Sequence, residues 1–293
     1  MAEPRVHPAR VALRVSDVGR SADFYRRIGG FRVREEDANR ATLASPDDGP
    51  VLLELRHAER PGPAPRRATG LFHTAFRYPT REQLGATLRG LVRQRAPLTG
   101  ASDNLVSEAL YLDDPDGLGI ELYRDRPRED WPAPSPGFKV AMDTLPLDLE
   151  SVLSEPEPDG DPAAGMDVGH VHLKVATVDD AVRWWTNALG LDLMAQLGPQ
   201  AAFLSTEGYH HDIGANTWMS AGAEPEPGEG PGLDEVVLAV AGDPGLAAAR
   251  DRLERAGTRL DAAEDGAVLT TTPDRVPVRL EEGRLGGVPD SAA

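Results

Sequence analysis

The chain has 293 residues, 40% of them hydrophobic, enough to bury a sizeable core and roughly two domains' worth of sequence. Its 48 acidic residues outnumber its 31 Lys and Arg, a net charge of −17 that repels phosphate backbones and anionic lipid. Nucleic-acid and membrane partners are therefore not expected, although a small anionic substrate is compatible with a locally basic site. With no cysteine there is no disulfide, thiolate ligand or thiol nucleophile, and the N-terminal segment MAEPRVHPAR lacks the apolar stretch of a secretion signal, so a cytoplasmic protein is expected.

In chain order, residues 11–33 open with alternating apolar positions (Val11, Leu13, Val15), which predict a half-buried strand. Helical spacing of Val18, Ala22 and Tyr25 follows, with Gly30 where a helix end needs positive φ. The same pattern returns without a gap at 171–193: Val171, Leu173, Val175 and Val178, then Val182, Trp185 and Gly190, at a spacing of 160. A second pair of segments repeats at nearly that interval. Gly70, Leu71, Leu84, Leu91 and Leu98 answer to Gly232, Leu233, Leu246, Leu253 and Leu260. LYLDDPDGLGIEL (110–122) faces VLTTTPDRVPVRL (268–280), both reading as strand, Pro-Asp turn, strand.

The chain therefore predicts an α+β fold of four βαβββ modules, at 5–58, 68–126, 165–218 and 230–282, forming two halves (5–126 and 165–282). Pro- and Gly-rich breaks separate the modules within each half, at 59–69 and 221–232. A connection at 127–164 joins the halves and carries a short helix candidate near Asp148; residues 283–293 read as a tail.

Units ending in DPDGLGIELY, joined to the GHVHL strand and a later GYHHDIGANTW segment, resemble the vicinal oxygen chelate superfamily of glyoxalase I, fosfomycin and bleomycin resistance proteins and extradiol dioxygenases. With ATGLFH and VSEALYLDDPDGLGIELYRDRPR added, the chain is most similar to the two-half bacterial catechol 2,3-dioxygenase type. The resemblance spans nearly the whole chain and implies modules paired into two open barrel-like sheets.

In that superfamily, metal ligands sit on the first and last strands of a module. The first-strand positions here hold Arg10, His73, His170 and Glu235; last-strand positions hold Glu121 in module two and Arg279 in module four. Arginine has no lone pair to donate, so modules one and four have lost ligand character. His73, Glu121 and His170 together form the two-imidazole, one-carboxylate set that leaves positions open on non-haem Fe(II). Mn(II), Zn(II), Co(II) and Ni(II) suit the same donors. Each of the three also has a purely structural reading, but Glu121 lies between Ile120 and Leu122 and so faces away from both, toward a cavity.

The resemblance makes His211 the acid–base histidine and Tyr111 the group that orients the substrate. Adjacent residues of a strand face opposite ways, so His210 is expected in the wall or scaffold. His172, two residues from His170, shares its face and lines the site or packs structurally. Relatives often carry histidine where this chain has Asn104 and Asp212; both are placed at the substrate. His7 and His57 match no ligand position and read as surface residues.

The resemblance implies a ring-cleaving dioxygenase that takes a catechol-like vicinal diol and dioxygen. A metal-dependent isomerase or lyase of the glyoxalase kind is the alternative if Asp212 faces the metal as a base, and a non-catalytic drug-binding protein is a third. No phosphate-cradling GxxxxGK[ST] or GxSxG nucleophile motif is present. Gathering His73, Glu121, His170 and His211 into one cavity requires module two to pair with module three, within one chain or by exchange across a homodimer.

Overall fold

A computed structural model describes residues 5–134, 136–225, 228–241 and 245–283. Most of the expected tail, and part of the break at 221–232, lie outside the described residues.

Module one runs β1 (Arg5–Val15), α1 (Val18–Gly29), β2 (Arg32–Glu36), β3 (Arg40–Ala44) and β4 (Val51–His57). Module two repeats the order as β5 (Gly70–Arg77), α2 (Arg81–Gln94), β6 (Gly100–Asp103), β7 (Ser107–Asp113) and β8 (Gly119–Asp125). The connection contributes β9 (Leu145–Pro146) and α3 (Leu149–Leu153), the latter capped by the Asp148 side chain on the Ser151 N–H. Module three has β10 (Asp167–Lys174), α4 (Val178–Trp184), β11 (Asp192–Leu197), β12 (Ala201–Ser205) and β13 (Ile213–Asn216). Module four has β14 (Gly232–Ala241), α5 (Gly245–Arg255), β15 (Asp261–Ala262), β16 (Val268–Thr271) and β17 (Pro277–Glu282).

Local chemistry sets the helix limits. Asp17 and Thr177 accept N–H bonds at the starts of the repeated helices, and Gly30 and Gly190 close them at φ 75° and 80°. The second copy differs in its last turn, where Trp185–Leu189 widens into a π turn. There the Thr186 hydroxyl donates to the Val182 carbonyl at 2.8 Å, a side-chain bond that competes with the backbone ladder.

The modules pair out of sequence order. An eight-stranded sheet joins module four to module one through antiparallel β14 and β1, and a nine-stranded sheet joins module three to module two through antiparallel β10 and β5. In the second sheet His172 stands opposite His73 and His170 opposite Ala75, while parallel pairing of β5 with β8 sets Ala75 beside Glu121. Register alone thus brings His73, Glu121, His170 and His172 to one face. The other faces are packed by the helices over a shared core that includes Val11, Leu13, Leu84, Val171 and Leu238. Among the described residues no helix is long and apolar enough to cross a membrane.

Candidate metal centre

A cavity of about 560 Å³ opens on that face. At its floor the Glu121 Oε2 lies 2.9 Å from His73 Nε2 and 3.1 Å from His170 Nε2, and the two Nε2 atoms are 3.4 Å apart. All three residues are buried. Among the described residues this is the one group of three or more potential donors within coordinating distance. Donors about 2.1 Å from one divalent ion at mutual right angles lie about 3 Å apart, so the spacing fits an ion on these three atoms.

Protonation fits as well. Burial alone would raise the Glu121 carboxyl, but His170 and His73 beside it hold it well below the usual carboxylate range. Burial pushes His170 down to about 4 in spite of Glu121. The set is therefore an anionic carboxylate with a neutral imidazole lone pair at His170, which is what a divalent ion binds.

Tyr111 lines the cavity from β7, opposite Glu121 in register. The Asn104 amide donates to its hydroxyl at 3.3 Å, and the Ser102 and Tyr111 hydroxyls are 3.2 Å apart. Burial, and Glu121 next, raise the Tyr111 phenol well above its ordinary value, so it stays protonated as a donor. Asn104 also lines the cavity, but its amide is engaged with Ser102, Ser107 and Tyr111. In this arrangement it holds Tyr111.

His172 lines the cavity with its Nε2 buried and without a partner, its ring edge-on to Phe72 and His73. The ring lies over Gly214, where an added Cβ would come within 2.7 Å of it. His211 enters from the turn between β12 and β13, with its ring centroid 4.0 Å from that of His170. Burial and then the neighbouring imidazoles hold both His172 and His211 well below the ordinary histidine value.

Three sequence expectations are corrected. Asp212 does not face the cavity: its carboxylate accepts from Ser205 Oγ at 2.7 Å and Thr206 N at 3.1 Å, and lies 2.8 Å from His7 Nδ1. These bonds turn it away from the cavity floor. His7, expected at the surface, is buried because β1 carries it to where the two sheets meet. His210 and His211 do not point to opposite faces. They sit in a turn, where the two-residue strand period does not apply, and their Nδ1 atoms are 2.7 Å apart.

A polar network behind the floor was not anticipated. Asp125 Oδ1 lies 2.8 Å from His210 Nε2, and Oδ2 accepts from Arg77 at 3.0 Å and the Tyr209 hydroxyl at 2.9 Å. The Tyr209 and Tyr123 hydroxyls are 2.8 Å apart, and Tyr123 passes over Gly169, where any Cβ would collide with its hydroxyl. The signal was present: Glu121, Tyr123 and Asp125 are alternate residues of one strand and must share a face. The cavity walls add Phe72, Phe203, Trp218 and, from the connection, Met142.

This fold and site define a class. The model of the glyoxalase/bleomycin resistance protein/dioxygenase superfamily matches residues 7–122 and 167–275, and the chain belongs to that superfamily. The catechol-2,3-dioxygenase of Bacillus subtilis (strain 168) is 35% identical over 263 residues, covering 88% of this chain and 91% of that protein. Among solved structures, a candidate dioxygenase from Bacillus subtilis subsp. subtilis str. 168 matches with a TM-score of 0.64 at 12% identity, over 97% of this chain and 87% of that one. Glyoxalase I from Zea mays matches with a TM-score of 0.56 at 14% identity, over 95% and 93%. At these identities the two structures bear on the fold alone.

Proposed function

We propose that the protein is an extradiol ring-cleaving dioxygenase acting on a catechol-like vicinal diol. The observation that carries this reading is the convergence of His73, Glu121 and His170 at the floor of a cavity that His211 and Tyr111 also line. The 35% identity to a catechol-2,3-dioxygenase supports it. A divalent ion on these residues, Fe(II) first and Mn(II), Zn(II), Co(II) or Ni(II) on the same donors, would hold the two vicinal oxygens and pass electron density from the ring to dioxygen.

The chain's own residues supply the rest. His211, kept neutral by burial, takes the proton of a ring hydroxyl and returns it as the ring opens. The Tyr111 hydroxyl, steadied by Asn104 and Ser102, donates to a substrate oxygen. The His172 ring lines the cavity beside Phe72, and Phe72, Phe203 and Trp218 enclose the substrate ring and keep water away. The isomerase reading loses support because Asp212, the base it needs, is bonded to His7 and Ser205.

Protein purified without oxygen and reloaded with Fe(II) is expected to consume one dioxygen per catechol and form a ring-opened, coloured product. Failure to consume oxygen with a panel of alkyl-, aryl- and carboxyl-substituted catechols would refute the proposal.

A further inference from the structure

The bonds behind His211 determine more than its position. They run in one line from the cavity inward: His211 Nδ1 to His210 Nδ1 at 2.7 Å, His210 Nε2 to Asp125 Oδ1 at 2.8 Å. Asp125 is the fixed end of this line. Its other oxygen already receives the Arg77 guanidinium and the Tyr209 hydroxyl, and Arg77 is itself held by Asp167 at 2.6 Å. An oxygen occupied by two donors has no room for a proton, and although burial works against it, His210 and Arg77 keep the Asp125 carboxyl low.

An anionic Asp125 accepts only, so a neutral His210 presents its proton at Nε2 and a bare Nδ1 toward His211. A bare Nδ1 in turn also accepts only. His211 must therefore donate from its own Nδ1, and its outer nitrogen, Nε2, keeps the free lone pair for the cavity that the residue lines.

We infer that Asp125 and His210 are positioning residues that fix His211 as its Nδ1–H tautomer, making Nε2 the base that meets the substrate. The inference rests on the ring-cleavage reading for its use, but not for its chemistry. When Nε2 takes a proton from a ring hydroxyl, the Nδ1 proton of His211 can pass to His210 Nδ1. That leaves His211 neutral and His210 an imidazolium against the Asp125 carboxylate, and the same two protons move back when the product is protonated. The positive charge then rests on His210, beside a carboxylate and farther from His170 than His211 is, with ring centroids 6.0 Å against 4.0 Å.

Asp125→Asn is a sharp probe because it is nearly isosteric and its orientation is dictated. Arg77 and Tyr209 are donors and require its oxygen, which turns its NH2 toward His210 Nε2. His210 must then carry its proton at Nδ1, and His211 is driven to the Nε2–H tautomer, with no lone pair facing the substrate. The experiment is ¹⁵N spectroscopy of histidine-labelled, Zn(II)-loaded full-length protein, with His211 assigned by its loss in His211→Gln. The wild type should show a pyrrole-type Nδ1 and a pyridine-type Nε2 at His211, and Asp125→Asn should exchange them. With Fe(II), that variant should lose about 10²–10⁴-fold in turnover with KM changed less than about threefold, the scale of a wrong-tautomer base.

His210→Asn retains an acceptor for the His211 Nδ1–H and should keep the tautomer and most of the turnover, whereas His210→Leu should lose both. An Nε2–H His211 in the wild type, or a tautomer that neither Asp125→Asn nor His210→Leu alters, overturns the inference. The expected tautomers in a protein that turns over no catechol would uphold it while overturning the dioxygenase reading.

Discussion

Three side chains from three strands reach one point because each is seated by something small or pinned beside it. Ala75 shares a face with His73 and stands beside both Glu121 and His170 in register, and the neighbouring His172 lies over Gly214, so small residues leave room for the rings. His211 differs from the ligands in kind. Its inner nitrogen is spoken for by His210, and its ring lies against His170 without joining the donor set. His211→Ala should therefore leave metal content unchanged and lower turnover about 10²–10⁴-fold, measured as oxygen uptake beside elemental analysis of the same sample. Equal loss of metal and turnover would make His211 a ligand instead. The grouping of His73, Glu121 and His170 was legible in the sequence because the superfamily resemblance implies which strands carry ligands, and strand alternation turns Glu121 toward the cavity. The facing of Asp212 and the burial of His7 were not, since both depend on where β1 of one sheet meets a turn of the other.

At the scale of elements, helix caps and turns are the most legible features. Gly30 and Gly190 end the repeated helices where the repeat places them, and DPDG closes the hairpin of β7 and β8. That turn carries an unusual charge. Asp114 Oδ1 accepts from the Asp116 and Leu118 N–H groups, while Oδ2 is buried without a partner. Burial, and Asp116 after it, push this carboxyl up to about 7. The folded protein thus holds the proton more tightly than the unfolded chain. Its contribution to stability is complete below about pH 4 and is lost as pH rises through about 7. Asp114→Asn should flatten stability between pH 4 and 7, read from denaturant midpoints. An unchanged slope would place the titration elsewhere. The π turn after α4 and the strand β9 had no comparable signal, because one follows from a Thr186 side-chain bond and the other from two residues docking on the edge strand β6.

For the whole molecule, the decisive feature is pairing of non-neighbouring modules. Joining modules two and three leaves one and four to form a sheet in which Arg10 and Arg279 both reach Glu281. The two sheets are pinned by the buried contact of His7 with Asp212. His7→Ala should cost about 1–3 kcal/mol of stability, by stranding a buried acceptor, and leave metal content intact. A variant of unchanged stability would show that this pin contributes nothing. Which modules pair could be reasoned from the ligands, since only that pairing unites His73, Glu121 and His170. The walls could not, because Phe72, Met142 and Trp218 come from three separate parts of the chain. The proposed function depends on an ion at the join of the two modules. The most direct test is metal content and X-ray absorption of the wild type against Glu121→Gln. About one divalent ion per chain is expected, with two imidazole nitrogens and a carboxylate oxygen in its shell, lost in the variant because too few donors are left to offset dehydration of the ion. An ion retained by Glu121→Gln with the same shell would contradict the account.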